Sequence, residues 1–155
     1  MLTYEEALFY KVMLGAGMDV HFASFLDRLL AEEDPLSDVT LALSAARRDV
    51  NAVIHVLKEY LLTAKEGQIN TKAAFDRVVG YLKERYEADP DRLKDLSQTM
   101  HVIAFSSEQP YEEPWYQLYM ASEEYDMVEI KVLQESEYRE YLEAFLYEKK
   151  PFFSK

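Results

Sequence analysis

The sequence predicts an all-α protein, a compact array of seven or eight short amphipathic helices. Three observations carry this. Apolar residues recur at spacings of three and four along most of the chain. Residues with capping chemistry stand just before these runs. Four glycines and five prolines in 155 residues leave little material for the repeated tight turns of a β-sandwich or barrel.

The elements follow in order. Thr3 and Glu6 have the spacing of a capping box, and Leu8, Phe9, Val12 and Met13 follow at helical spacing until Gly15-Ala16-Gly17 stops them. Asp19 is placed to cap a second helix with Phe22, Phe25, Leu26, Leu29 and Leu30 on one face. Asp34-Pro35 reads as the start of a third, with Asp as N-cap and Pro in the first turn, running to about Arg47. Asp49 opens a fourth, with Val50, Val53, Ile54, Leu57 and Leu61 turned to the core and its end near Gly67.

Asn70 or Thr71 caps a fifth helix striped by Phe75, Val78, Val79, Leu82 and Tyr86. Asp89-Pro90 repeats the Asp-Pro start ahead of Leu93, Leu96, Met100 and Ile103. Ser106 to Pro114 is a break, after which Pro114 begins a seventh helix with Trp115, Leu118 and Tyr119 inward. Residues 127–133 read as strand, helix or loop, because Val128, Ile130 and Val132 alternate with polar neighbours; a lone strand would lack a partner. Ser136 caps the last helix, with Tyr138, Tyr141, Leu142, Phe145 and Leu146 on one side. The expected core includes Phe25, Leu29, Ile54, Leu57, Phe75, Val79, Leu82, Leu96, Leu118 and Leu142. The chain is expected to form a single helical domain over residues 1–155, with a possible soft junction at 67–71.

Composition narrows the class of function. The chain is 49% apolar and 30% charged, the balance of a globular protein, and it carries a net charge of −12. Nucleic-acid affinity comes largely from neutralising phosphates with Lys and Arg, so this balance disfavours nucleic acid as a partner. Adhesion to anionic membranes is disfavoured for the same reason. The absence of cysteine excludes disulfides and thiolate metal sites. The first residues lack the basic stretch and apolar run of a signal peptide, and no apolar run approaches the roughly 20 residues that span a bilayer. The expected location is cytoplasmic.

Catalytic motifs do not emerge. There is no Gly-x-Ser-x-Gly elbow, no phosphate-cradling glycine loop and no twelve-residue calcium loop. His55 and Glu59 stand at i, i+4, a spacing that suits two ligands of a metal on one helix face, but Glu-x-x-His occurs nowhere. His55 reads as a partly buried helix residue and His101 as one at the edge of the core. No metal and no cofactor are expected.

The second half resembles a family of small hypothetical bacterial helical proteins without assigned activity. The features that carry the likeness lie within residues 70–148: the helix from Phe75 to Tyr86, a helix ending near Phe105, the Pro114-Trp115-Tyr116 element and the final Tyr/Phe/Leu helix. The resemblance implies an α-helical bacterial domain and transfers no functional residue.

The most distinctive segment is 108–148. It holds twelve acidic residues, two basic ones, the only tryptophan and seven of the twelve tyrosines, for a net charge of −10. Carboxylates steer a cationic partner, while Tyr and Trp supply rigid contact area. Tyr111, Tyr116, Tyr125 and Tyr147 lie off the predicted core stripes. The expected partner-binding set is Tyr111, Glu112, Glu113, Tyr116, Glu123, Glu124, Tyr125 and Asp126, engaging a basic protein in the manner of immunity proteins or antitoxins. The alternative is an enzyme or small-ligand protein with a pocket between helices, using His55, Glu59 or His101.

Overall fold

A computed structural model describes residues 1–64 and 68–152, with the side chains of 68–70 outside the described set. Its described residues form eight helices and no strand, so the all-α class holds. The chain divides into two compact units, Met1–Ala74 and Phe75–Lys155. The boundary between them falls inside a continuous helix, and Gly67 of the expected soft junction at 67–71 lies outside the described residues.

The first unit holds α1 (Tyr4–Gly15), α2 (Phe22–Glu32), α3 (Asp38–Ala46), α4 (Val50–Thr63) and the start of α5 (Gln68–Ala88). The capping box forms as read: Thr3 Oγ1 accepts from Glu6 N at 3.1 Å, and Glu6 Oε1 accepts from Thr3 N at 3.0 Å. α1 ends in a Schellman turn. Met18 N donates to Met13 O at 2.9 Å and Gly17 N to Leu14 O at 3.0 Å, with Gly17 at φ +76, a left-handed conformation that glycine adopts without the steric cost of a Cβ. Tyr10 from α1 packs its ring on Phe22 and Phe25 of α2, at 5.3 and 4.5 Å between centroids.

Two of these starts move and one holds. Asp19 does not cap α2; its carboxylate accepts from His21 N at 3.1 Å, and His21 takes the N-cap position with a left-handed backbone. α3 starts three residues after Pro35, because Ser37 caps it and is itself held by Glu33, whose Oε1 accepts from Ser37 N and Ser37 Oγ, each at 3.0 Å. Asp49 caps α4 as expected, its Oδ1 accepting from Ala52 N at 3.2 Å. That helix ends at Thr63, and Gly67 lies outside the described residues. Val53 and Leu57 are buried, Ile54 and Leu61 half-buried, and Val50 is exposed in the first turn.

The second unit holds the rest of α5 with α6 (Leu93–Ser106), α7 (Tyr116–Glu129) and α8 (Glu135–Glu148). Asn70 and Thr71 fall within α5 rather than ahead of it. Its stripe of Phe75, Val78, Val79, Leu82 and Tyr86 is buried as predicted. Asp89-Pro90 precedes α6 without opening it; the Pro90 carbonyl instead accepts from Arg139 Nη1 of α8 at 2.7 Å. Residues 127–133 are helix to Glu129 and then a second Schellman turn, with Val132 N donating to Met127 O, Lys131 N to Val128 O, and Lys131 left-handed. Their alternation therefore reflects exposure: Ile130 and Val132 both lie open to solvent. α8 begins at Glu135 with Gln134 as N-cap, so Ser136 sits in its first turn.

α7 and α8 are joined through the core by Tyr138, fully buried, whose hydroxyl donates to Ala121 O at 2.9 Å. Trp115, at the head of α7, is buried with its ring edge-on to Phe75 at 5.4 Å. Beyond α8 the chain returns to the same core. Phe152 is buried against Tyr138 and Phe145, and its N–H donates to Gln117 Oε1 at 2.6 Å. No described helix is long and apolar enough to cross a membrane.

Candidate functional site

α6 and α7 pack as a helical hairpin whose connection, residues 107–115, is short enough to place the end of one helix beside the start of the other. The connection is built by local hydrogen bonds. Glu108 reverses the chain in a left-handed conformation, and Gln109 N donates to Ser107 Oγ at 3.1 Å. Residues 109–112 form a turn closed by Glu112 N to Gln109 O at 3.1 Å, with Pro110 at the second position that Pro favours. Tyr111 is the third residue of that turn and so stands at its tip. Tyr116 N then donates to Glu112 O at 2.9 Å as α7 begins.

This route delivers Tyr111 onto Tyr119, their rings 5.1 Å apart at 81°. Phe105, from the last turn of α6, meets both, at 6.1 Å from Tyr111 and 6.0 Å from Tyr119. His101, one turn earlier, lies 4.7 Å from the Phe105 ring. Tyr116 stacks beside Tyr119 at 6.1 Å and an interplanar angle of 24°. Five aromatic side chains thus form one continuous surface. It is open to solvent: Phe105 is 43% exposed and Tyr111 66%, with Val102 exposed beside them. Tyr116 and Tyr119 are half-buried, and contiguous exposed apolar patches of this kind are uncommon on folded proteins.

The segment that supplies these side chains carries charge of one sign. No lysine or arginine occurs between Lys94 and Lys131, a stretch that carries eight carboxylates. Glu123, one turn beyond Tyr119, bears on its hydroxyl. The Tyr119 phenol is held above the ordinary tyrosine range by burial among the rings, then by the Glu123 charge and by Tyr111. Glu112 is exposed on the connection.

The eight residues proposed from the sequence do not converge on one place. Tyr111, Tyr116 and Glu123 gather at Tyr119, and Glu112 lies on the connection next to Tyr111. Glu113 has a structural partner, its Oε1 accepting from Gln117 Nε2 at 2.7 Å, and Gln117 in turn receives the Phe152 N–H. Tyr125 is nine residues from Tyr116, which on a helix of about 3.6 residues per turn is the opposite face. It packs half-buried on Tyr138 at 5.3 Å. Burial raises its phenol, followed by the charges of Glu129 and Glu135. Glu124 and Asp126 both raise the Tyr138 hydroxyl, for which burial is the dominant cause. Tyr147, also off the predicted stripes, lies on α8 and donates to Glu87 at 2.9 Å.

Three members of the surface are outside the predicted set. Phe105 and His101 stand at i, i+4 at the end of α6, and Tyr119 reads as inward from α7 alone. The available signal was the long stretch free of Lys and Arg, with aromatics at both ends of a short helix connection.

His55 and His101 are both exposed rather than partly buried or at the core edge. His55 Nε2 lies 3.9 Å from Glu59 Oε1, both side chains mostly in solvent, which is an ordinary surface pair. Among the described residues no three His, Asp or Glu side chains are grouped as they would be to hold a metal ion.

No protein-family model, curated protein or solved structure matches the chain.

Proposed function

We propose that the protein is a noncatalytic binding module whose α6–α7 surface engages a basic protein, in the manner of an immunity protein or antitoxin, in the cytoplasm. The observation that supports this reading is the array of exposed Phe105, Tyr111 and His101 on half-buried Tyr116 and Tyr119, inside a stretch that has carboxylates and no Lys or Arg. Rigid rings give contact area at small entropic cost, and the surrounding acids draw a cationic partner in and disfavour an anionic one.

The test begins with co-purification of a basic partner from the host. Association and dissociation rates are then measured for the wild-type chain and for the Glu112→Lys/Glu123→Lys double variant across a salt series. Steering by carboxylates predicts that the variant associates about tenfold more slowly at low salt, with the difference shrinking as salt rises. Equal rates at every salt concentration would refute the reading.

A further inference from the structure

We propose that the group this surface receives is a guanidinium: an arginine of the basic partner stacks on the exposed Tyr111 ring of the Phe105–Tyr111–Tyr119 cluster, with His101 Nε2 and the Glu123 carboxylate as the acceptors offered to it. The inference rests on the docking reading above and specifies the chemistry recognised.

Aromatic faces attract any cation, so the choice between arginine and lysine lies in geometry and in the acceptors. Phe105, Tyr111 and Tyr119 pack edge to face on one another with centroids 5.1 to 6.1 Å apart. Rings that close together fill their own centre. They present faces to a ligand and do not form an enclosing cage of the kind that strips water from an ammonium. A lysine ammonium is compact and strongly hydrated, whereas a guanidinium is planar, more weakly hydrated and able to stack on an open face.

The acceptors follow from one serine. Ser122 Oγ donates its single proton to Tyr119 O at 2.7 Å. Toward His101 Nδ1, 3.4 Å away, that oxygen has only lone pairs to offer, so Nδ1 carries the proton. The second ring nitrogen, Nε2, is then the one that offers a lone pair, and His101 is exposed. A planar cation with five N–H donors can stack on the rings and still reach acceptors in its own plane. Here those are Nε2 of His101 on α6 and the Glu123 carboxylate on α7. A single ammonium can use these acceptors without gaining from the ring faces in the same pose.

The test uses two blocked heptapeptides of equal charge, Gly-Arg-Gly-Arg-Gly-Arg-Gly and the same sequence with Lys for Arg. Affinities are measured by calorimetry, and tyrosine ring signals are followed by NMR. The arginine peptide is expected to bind about two- to fivefold more tightly, an increment of the size of an exposed cation–π contact, with shifts at Tyr111 and Tyr119. Tyr111→Leu removes the stacking face and is expected to abolish the preference; His101→Phe keeps a ring but removes an acceptor and is expected to weaken both peptides and reduce the preference. Both positions are exposed, so circular dichroism should report an intact fold. Glu123→Gln should weaken both peptides. Equal affinity for the two peptides in the wild type would overturn the guanidinium assignment. The docking reading would still stand if the partner's association rate remained sensitive to Glu112→Lys/Glu123→Lys. A preference that survives Tyr111→Leu, or no binding of either peptide, would also overturn the assignment.

Discussion

Tyr111 meets Tyr119 edge to face with ring centroids 5.1 Å apart, although one stands at the tip of a turn and the other within a helix. The contact holds a two-thirds-exposed tyrosine in a defined orientation before any partner arrives. Preorganised rings act mainly on the lifetime of a complex, because their ordering cost is already met in the free protein. Tyr111→Ala is therefore expected to raise the dissociation rate of the partner several-fold while changing the association rate little. Surface plasmon resonance separates the two. A slower association with unchanged dissociation would assign Tyr111 to encounter rather than anchoring.

Leu82 lies on the buried stripe of α5, fully out of solvent. Truncation to Ala removes buried methyl groups and leaves a cavity, so Leu82→Ala should cost about 2–5 kcal/mol. Chemical denaturation monitored by circular dichroism measures this. A change within about half a kcal/mol would match an exposed site and contradict the burial.

Glu33 links acid stability to the start of α3. Hydrogen bonds from the Ser37 backbone and side chain, with one from Thr40, hold its carboxyl below the usual value of 4.5, against the opposing effect of burial. A carboxylate with a lowered folded-state pKa contributes stability that is present above the unfolded pKa and lost as pH falls through the folded one. Wild-type stability should therefore decline as pH drops below about 4.5, with a shallower decline in Glu33→Gln. Denaturation midpoints measured from pH 6 downward test this, and parallel curves would remove Glu33 from the account.

Tyr138 governs the alkaline side. Its buried hydroxyl is pushed far above the ordinary tyrosine value of 10.0, chiefly by burial. The protonated form is thus favoured in the folded chain, so stability is full below about pH 10 and falls above it as the unfolded tyrosine ionises. Tyr138→Phe leaves Ala121 O without its donor and should cost about 0.5–1.5 kcal/mol near neutrality. The same variant should lose less stability than the wild type between pH 9 and 11. An unchanged alkaline slope would mean that other tyrosines dominate it.

Phe152 binds the segment after α8 to the second unit's core. Phe152→Ala should destabilise that unit by about 3–5 kcal/mol. Gln117→Ala should share part of the effect, because Gln117 Oε1 receives the Phe152 N–H. Hydrogen exchange resolved along α7 and α8 would localise the loss. Unaltered protection there would show that the contact contributes little.

The sequence by itself determined the helical class, the core stripes and the caps at Thr3 and Asp49. These depend on local spacing and on side chains within a few residues of the backbone groups they serve. The Phe75–Tyr86 stripe, Leu96, Leu118 and Leu142 were legible for that reason. The Asp34 cap failed because Glu33 took the Ser37 N–H and Ser37 capped α3 in its place, while Asp89-Pro90 stands ahead of α6, whose N-cap position falls to Arg92. The acidic, aromatic character of 108–148 was also plain in the sequence, but the grouping of its side chains was not. Whether an aromatic on α7 faces α8 or the end of α6 depends on which neighbour the helix meets, and spacing along one helix carries no information about its neighbours. Tertiary packing therefore decided that Tyr125 lies on Tyr138, that Tyr119 gathers Tyr111 and Tyr116, and that Phe105 and His101 of α6 complete the surface.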